Sequence, residues 1–496
     1  MEFSIDIPSK EFKKHIEIED NDRIIFSGRF GIGKTHFLDR FFDVNSDNYE
    51  AIHIYPVNYS VASNEDIFEL IKYDIFYELI NKENLDFKKI DTSKVFTLMG
   101  YSAKNSHKFL APFLTLLPVL GKSLLNIYDR LEILLQDFNE IHDHSQIDEL
   151  NDIKSFFDKF NLDQGSLYEN DFYTELINEL VLRLKENDSK SLAKDENYKK
   201  KEVVLIIDDL DRIDPEHIFR ILNVISAHND QYKEPKFNFD KIIVVCDIEN
   251  IQKIYHHRYG LDVDFFGYID KFYADDVFRF ENSDGISEQI VAFIRDEIKF
   301  ENIENNFDFT TLNPNINARM DALNLAYILT AMVKVNVITI RILKRIGKDI
   351  EVPNRRLNLK INKNLSSHEF IGIIIIDFFK KMLGGYEPLI EAIKLCSDFK
   401  TNFFLPEYRR EYIDFLLPIL DYEKHQFRQT SEKFTYQSKE SKQKIEYNVR
   451  YSERRFNCDI SDIKRLDNSN DIIQDHEVNY FGVLLETIEK CFKENI

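Results

Sequence analysis

The chain has 496 residues and is acidic, with 87 Asp and Glu against 65 Lys and Arg, a net charge of −22 and a pI near 5.1. This length is enough for several domains, and the negative charge argues against a generally basic nucleic-acid-binding surface, although local basic patches remain possible. The four cysteines form no CxxC or Cys/His metal pattern, and no basic and apolar leader opens the chain. We therefore expect a protein of the reducing cytoplasm.

The first predicted strand, residues 23–27, leads directly into the glycine-rich octet GRFGIGKT, residues 28–35. The octet matches G-x-x-x-x-G-K-T, the phosphate-binding loop of nucleoside triphosphatases. Residues 35–42 follow with apolar side chains at helical spacing, so the loop has the strand and the helix that the motif requires. The chain contains only 14 glycines, so three glycines within this octet argue against an accidental match.

The residue types of the octet indicate its chemistry. Glycines allow positive φ, which turns backbone N–H groups towards an anion, and the following helix N-terminus adds a positive dipole end. Lys34 is expected to reach the β- and γ-phosphates, and Thr35 is expected to offer its hydroxyl to Mg²⁺. The residues predicted to bind the nucleotide here are Gly28, Arg29, Phe30, Gly31, Ile32, Gly33, Lys34, Thr35 and His36.

A second strand is predicted at residues 51–57, and mainly helices up to residue 200. Apolar residues at helical spacing, typical of core packing, are Leu176, Leu180, Val181 and Leu184. The most apolar stretch, residues 109–121, contains two prolines and is shorter than the about 20 apolar residues that a bilayer requires. A buried hairpin is favoured there, with a membrane-dipping or partner-binding segment as the alternative.

Residues 203–207 are five consecutive apolar residues, which predicts a strand buried on both faces. The segment DDLDR, residues 208–212, follows this strand directly. A carboxylate at the tip of such a strand completes a phosphate-loop site, so Asp208 is the predicted magnesium ligand opposite Thr35. Asp209 can orient or deprotonate the attacking water. The alternative is that both acids only begin a turn.

The next predicted strand covers residues 241–247 and ends in Asp247. Between the two strands, Asp214 and Pro215 are typical of a helix start. Alternating buried strands and helices predict an α/β core, a mostly parallel sheet flanked by helices. Because ligands bind at the carboxyl ends of parallel strands, Asp247 is a candidate to sense the γ-phosphate or position water, and a strand-end cap is an equal alternative.

Beyond residue 283 the strand signals fade, and helices are predicted at 286–298, 323–333 and 339–349, and from 366 to a stop at Gly384 and Gly385. Arg341 and Arg345 lie four residues apart and therefore on one helix face. A phosphoryl-transfer transition state favours a nearby arginine, so Arg341 is the first candidate, with Arg345 and Arg212 behind it. A solvated arginine is the alternative for each.

We predict five segments along the chain. They are a first core part with the phosphate loop (1–84), a helical insertion (85–200), a second core part with Asp208 (201–282), a helical lid with the candidate arginine (283–351) and an α-helical C-terminal domain (352–496). Within the last segment, residues 424–455 combine an excess of basic residues with aromatic residues, a composition that suits nucleic acid. A solvated helical face or a loop is the alternative.

The strand followed by DDLDR, with GxxGxGKT upstream and an arginine-rich helix after the core, resembles the KAP family of P-loop NTPases over roughly residues 15–350. The family shares features with the signal-transducing STAND ATPases. The resemblance implies ATP and Mg²⁺ as ligands and ATP hydrolysis as the activity, and it matches residues 340–345 to the family's arginine motif, with Ile340 where proline is common. Many members carry a membrane-spanning insertion between the two nucleotide motifs. In this chain the most apolar stretch between the two motifs, residues 109–121, is too short to cross a bilayer, so no membrane span is expected.

The resemblance also implies a biological setting. Bacterial members often resemble components of anti-phage systems, in which ATP turnover gates a partner effector protein. A homo-oligomer is expected because such arginines often act in trans. Two hypotheses remain, an ATPase whose cycle switches assembly or partner activity, and a nucleotide-gated scaffold with incidental hydrolysis. Contact with nucleic acid through residues 424–455 is a third, weaker option.

Overall fold

The structure is a computed structural model that forms two compact units. The N-terminal unit is Ile7–Glu281, and the C-terminal unit joins Met1–Asp6 to Asn282–Ile496. The described residues are 3–59, 67–82, 172–191, 201–300, 320–345, 349–354, 356–359, 362–367, 371–398, 416–420, 432–452, 455–467, 469–473 and 480–494. The predicted hairpin at 109–121 lies outside them. Within these ranges, no helix combines the length and the apolar character needed to cross a membrane.

The N-terminal unit is built on a five-stranded parallel sheet in the order β2-β3-β4-β1-β5. Its strands are β1 (Arg23–Ser27), β2 (Tyr49–Ile54), β3 (Glu202–Ile207), β4 (Lys241–Cys246) and β5 (Phe278–Arg279). Nearly every side chain of β3 and β4 is buried, as the apolar runs predict for central parallel strands. The predicted α/β core is confirmed. Strand β4 separates the strand that precedes the phosphate loop from the strand that precedes Asp208.

Helices flank this sheet. They are α1 (Asp6–Ile16), α2 (Lys34–Val44), α3 (Ile67–Asn81), α4 (Phe172–Ser191), α5 (Pro215–Tyr232), α6 (Ile248–Tyr259) and α7 (Phe265–Ile269), with 3₁₀ turns at Pro56–Tyr59, Leu210–Arg212, Lys236–Asn238 and Asp270–Phe272. The apolar residues predicted at helical spacing on α4 are all buried in the core of this unit. Helix α5 starts as predicted, with the Asp214 carboxylate accepting from the backbone N–H of Glu216 at 2.8 Å.

An aromatic cluster packs beneath the glycine-rich loop. Phe26 of β1 stacks on Phe37 of α2 at 5.6 Å and on Phe280 at 5.3 Å between ring centroids. Phe12 of α1 meets Phe26 edge-on at 5.1 Å. Pairs in these geometries each add about 0.5–1.5 kcal/mol beyond the burial of their area. The cluster therefore fixes the helix that follows the loop against the strand that precedes it.

The C-terminal unit contains α8 (Ser283–Glu297), α9 (Met320–Lys334), α10 (Ile340–Arg345), α11 (Ile371–Leu383), α12 (Tyr386–Asp398), α13 (Leu417–Leu420) and α14 (Tyr480–Glu494). These helices pack around their own buried apolar core. Helix α11 ends at the predicted glycines, where the N–H groups of Gly384 and Gly385 donate to the carbonyl of Lys380 at 3.0 and 2.9 Å. The predicted helical C-terminal region is confirmed.

The same unit also holds strands that the sequence analysis missed. They are β6 (Lys299–Phe300), β7 (Asp349–Ile350), β8 (Arg356–Leu359), β9 (Asn362–Ser366), β10 (Glu432–Gln437), β11 (Lys444–Ser452) and β12 (Arg455–Leu466). The last three form an antiparallel sheet, with Ile445 and Tyr447 fully buried. The prediction that residues 352–496 are simply α-helical was therefore incomplete, because part of that segment buries its apolar residues with strand period.

Candidate functional site

The glycine-rich loop is held at its first residues by the strands on both sides of β1. The backbone N–H of Gly28 donates to the carbonyl of Cys246 in β4 at 3.0 Å, and the N–H of Phe280 donates to the carbonyl of Ser27 at 2.7 Å. A Cβ atom on Gly28 would lie 3.2 Å from the Phe280 carbonyl oxygen and 3.3 Å from Cδ of Lys34. The loop is therefore tightly enclosed at its base.

Two glycines of the loop have the left-handed backbone that the motif predicts. Gly31 has φ 80°, and Gly33, the residue before α2, has φ 101° and ψ 26°. Other residues adopt this conformation at a cost of roughly 1–2 kcal/mol. The carbonyl of Gly33 accepts the N–H of Phe37 at 2.9 Å, so α2 begins directly from the loop. The N–H groups of the first helical turn remain available for an anion, which helix N-termini favour.

Lys34 points back into the loop that precedes it. Its side chain is buried, and Nζ donates to the carbonyl of Gly28 at 2.6 Å and to the carbonyl of Arg29 at 3.4 Å. An ammonium has three donors, so it can satisfy loop carbonyls and also bind a phosphate oxygen. The buried charge next to the loop suits the anion-binding role predicted for this residue.

The two predicted magnesium ligands lie side by side. The hydroxyl of Thr35 donates to Oδ2 of Asp208 at 2.7 Å, although 173 positions separate the two residues. Asp208 is fully buried at the carboxyl end of β3, and its Oδ1 accepts the N–H of Asp209 at 2.6 Å. Burial alone raises the pKa of this carboxyl, but hydrogen bonds from His53, Thr35 and the backbone outweigh burial and lower it. A hydroxyl and an ionised carboxylate are hard oxygen ligands, so the pair fits Mg²⁺.

Asp209 has the left-handed conformation, with φ 53°, at the start of the turn Leu210–Arg212. Its Oδ2 accepts from the guanidinium of Arg212 at 2.6 Å, and that guanidinium lies 5.3 Å from the ring centroid of Phe30 in the loop. Arg212 thus connects the predicted catalytic aspartate to the glycine-rich loop. Positive φ is uncommon for residues other than glycine and clusters at functional sites.

Asp247 caps helix α6 in this structure. Its carboxylate accepts from the backbone N–H groups of Glu249 and Asn250 at 3.1 and 3.4 Å. The cap that the sequence analysis left open is therefore present, and a contact with nucleotide stays a prediction.

Nearby, burial raises the pKa of Asp211 against the opposing effects of Lys34 and of a hydrogen bond from Asn250. Asp211 is a further acid at this edge that the sequence analysis did not single out.

A histidine of β2 also belongs to the site, and the sequence analysis missed it. Nε2 of His53 lies 3.1 Å from Oδ2 of Asp208, and Nδ1 lies 3.0 Å from Oδ1 of Asp39 on α2. Tyr55 stacks on the imidazole at 4.4 Å between centroids. The sequence feature that could have indicated His53 is a polar residue between the buried Ile52 and Ile54 near the end of a strand. Its partner Asp208 is distant in sequence, so no local pattern joins the two residues.

Three other predicted residues are exposed on helices. His36 is an exposed residue of the first turn of α2. Arg341 and Arg345 are exposed on α10 of the C-terminal unit, and the roles predicted for them stay predictions. Among the described residues, no group of three or more His, Cys, Asp or Glu side chains is placed to hold a metal ion.

The described part of residues 424–455 is mainly the antiparallel sheet, and three of its aromatic residues face inwards. Tyr447 is buried, and Phe434 and Tyr436 pack against the core of the C-terminal unit. On the outer face, Lys433 and Lys444 both pair with Glu446 at 2.7 and 3.2 Å. Inward-facing rings cannot stack on bases, so these residues do not support the nucleic-acid prediction, which stays untested.

Two comparisons with known proteins bear on this site. The chain matches no curated protein. The family model for the KAP family P-loop domain matches residues 14–274, which is more than half of the chain and contains the glycine-rich loop, His53, and the acids that follow β3. Family membership implies that the loop binds a nucleotide. The chain therefore belongs to the KAP family of P-loop NTPases.

Proposed function

We propose that this chain binds and hydrolyses Mg²⁺-ATP at the carboxyl edge of the parallel sheet. The observation that carries the proposal is that Lys34 donates into the glycine loop while Thr35, the next residue, donates to Asp208 at the end of β3. Lys34 and the loop N–H groups would bind the β- and γ-phosphates. ATP rather than GTP is proposed from the family alone.

The residues of the site divide the chemistry between them. Thr35 and Asp208 would hold Mg²⁺, which, when bound, neutralises charge on the phosphate oxygens. Asp209 would orient the attacking water and accept its proton. The guanidinium of Arg212, at 2.6 Å, occupies Oδ2 of that carboxylate, so water gains this oxygen only by exchange with Arg212. Because this ion pair is partly exposed, the exchange has a small cost.

We further propose that the nucleotide cycle switches assembly or the activity of a partner effector, in anti-phage defence. This proposal is supported by the resemblance to bacterial KAP proteins, and it includes a homo-oligomer in which Arg341 acts in trans. A cytoplasmic location is supported by the cysteines, since no disulfide joins Cys246, Cys396 or Cys491. The alternative function is a nucleotide-gated scaffold in which hydrolysis is incidental.

The test compares wild type with Lys34→Ala in ATP binding, phosphate release and molecular mass with and without a non-hydrolysable ATP analogue. Lys241→Ala is a matched control, because Lys241 is also buried and donates to a backbone carbonyl, that of Asn21 at 3.1 Å, but it lies at the opposite end of β4. We expect Lys34→Ala to lose binding, turnover and any mass change, and Lys241→Ala to lose stability only. Equal ATP binding by wild type and Lys34→Ala would refute the proposal.

A further inference from the structure

The imidazole of His53 connects two parts of the proposed site. Asp39 lies on α2, the helix that begins at the phosphate loop, and Asp208 lies at the end of β3. His53 contacts both carboxylates, at 3.0 Å through Nδ1 and at 3.1 Å through Nε2. The ring therefore joins the helix that carries Thr35 to the strand end that carries the second magnesium ligand.

The carboxylate of Asp208 is oriented by three donors. Oδ2 accepts from Thr35 at 2.7 Å and lies 3.1 Å from Nε2 of His53, and Oδ1 accepts from the backbone of Asp209. The Thr35 hydroxyl can bind a metal ion through an oxygen lone pair and still donate its proton to Asp208. His53 is the other side-chain donor to Asp208 among the contacts described above.

The surroundings of the ring support donation from both nitrogens. A neutral imidazole donates from one nitrogen only, whereas both nitrogens here face carboxylate oxygens. Tyr55 stacks on the ring and places its hydroxyl 3.3 Å from Nδ1, which restricts ring rotation.

We infer that His53 is a positioning residue for magnesium binding, which holds the Asp208 carboxylate towards Thr35 through the bridge to Asp39. The inference rests on the proposed function, because it assigns Asp208 to the metal. Hydrogen-bond partners of metal-binding carboxylates and histidines typically change metal affinity by about 10–100-fold when removed. A purely structural histidine would change stability and leave the metal requirement of the folded protein unaltered.

The experiment uses the full chain and two readouts. Binding of a fluorescent ATP analogue is measured in EDTA and over a magnesium titration, and phosphate release from ATP is measured over the same titration. The variants are His53→Ala, which removes both contacts, and His53→Gln, whose amide nitrogen can take the position of Nε2. Tyr55→Phe is the matched control, because its hydroxyl touches the same ring but not Asp208. Thermal melting establishes that each variant is folded.

We expect His53→Ala to raise the magnesium concentration for half-maximal turnover by about 10-fold or more, with metal-free nucleotide binding within about twofold of wild type. His53→Gln is expected to restore most of the magnesium affinity, and Tyr55→Phe to resemble wild type. If His53→Ala fails to fold, Asp39→Asn tests the same bridge from its other end and is expected to shift the magnesium requirement in the same direction by a smaller factor.

An unchanged magnesium requirement in the folded variants would overturn the inference alone. Absence of magnesium-dependent nucleotide binding in wild type would overturn the proposed function, and this inference with it.

Discussion

Gly33 and Gly260 have nearly the same backbone φ, 101° and 103°, although Gly33 lies in the phosphate loop and Gly260 ends helix α6. Both follow the rule that left-handed positions favour glycine. Comparing substitutions at these two glycines therefore distinguishes the effect of backbone strain on stability from the effect of the loop on nucleotide binding.

Gly33→Ala and Gly260→Ala are each expected to destabilise the protein by at least about 1–2 kcal/mol, because an alanine must adopt positive φ at either position. Gly260 also has ψ 153°, a combination almost confined to glycine, so its replacement is expected to cost no less than that of Gly33. Only Gly33→Ala is expected to abolish ATP binding, since strain in the loop redirects its N–H groups. A Cβ atom on Gly260 would meet nothing within 4 Å, so its effect is confined to strain. Thermal melting and ATP titration check both variants. Comparable ATP binding by the two would contradict the role of the loop.

Arg212 provides a second prediction, because it pairs with Asp209 and lies over the ring of Phe30. Partly exposed ion pairs contribute about 0.2–1 kcal/mol, which corresponds to a factor of up to about five. Arg212→Ala is therefore expected to raise phosphate release by up to about fivefold, since the Asp209 carboxylate is freed for water.

Arg258→Ala is the matched control for Arg212→Ala. Arg258 also combines an ion pair, with Glu216 at 2.8 Å, and a contact with a ring, that of Tyr259 at 5.8 Å. Its loss is expected to leave turnover unchanged. A decrease of about tenfold or more in Arg212→Ala alone would instead assign Arg212 to the transition state, as one candidate of the sequence analysis.

A third prediction concerns pH and His53, whose pKa is raised to about 9 from the ordinary 6.5. A raised pKa means that the folded state binds the proton more tightly than the unfolded state. The stabilisation is therefore fully present below pH 6.5 and is lost as the pH rises through 9. His53→Gln lacks this titration.

The melting temperatures of wild type and His53→Gln, measured without nucleotide from pH 6 to pH 9.5, check this prediction. We expect the advantage of wild type to shrink by at least about 3 °C over this range, because 1 kcal/mol shifts the melting temperature of a domain this size by about 2–4 °C. Groups common to both proteins cancel in the difference. A difference that does not vary with pH would show that the imidazole carries no added proton.

Local sequence patterns predicted the core of this protein well. The strands β1, β3 and β4 are runs of apolar residues, and the loop and the DDLDR segment follow two of them directly. Because the carboxyl ends of parallel strands meet at one edge, these local signals were sufficient to bring Thr35 and Asp208 together.

Contacts between residues distant in sequence explain what was missed in the site. His53 is 155 positions from Asp208, and its role depends on a parallel register between β2 and β3 that no local pattern specifies. The ion pair of Asp209 with Arg212 is local, but the contact of Arg212 with Phe30 also requires the folded sheet.

The missed strands of the C-terminal unit have a different explanation. Strand β11 (KIEYNVRYS) alternates apolar residues with charged and polar ones, and its buried residues include Ile445 and Tyr447. This alternation is a strand signal, but the basic and aromatic composition of the segment favoured a surface interpretation. The rings of Phe434, Tyr436 and Tyr447 pack in or against the core of the unit rather than on its outer face.

The most direct test of the account is phosphate release from Mg²⁺-ATP by wild type, Asp209→Asn and Asp214→Asn. Asp214 is a matched aspartate of the same segment that caps α5, a role that asparagine performs equally well. We predict that Asp209→Asn binds ATP like wild type but releases phosphate at least about 100-fold more slowly, while Asp214→Asn behaves like wild type. Phosphate release by wild type no faster than by Lys34→Ala, or equal rates in wild type and Asp209→Asn, would contradict the account.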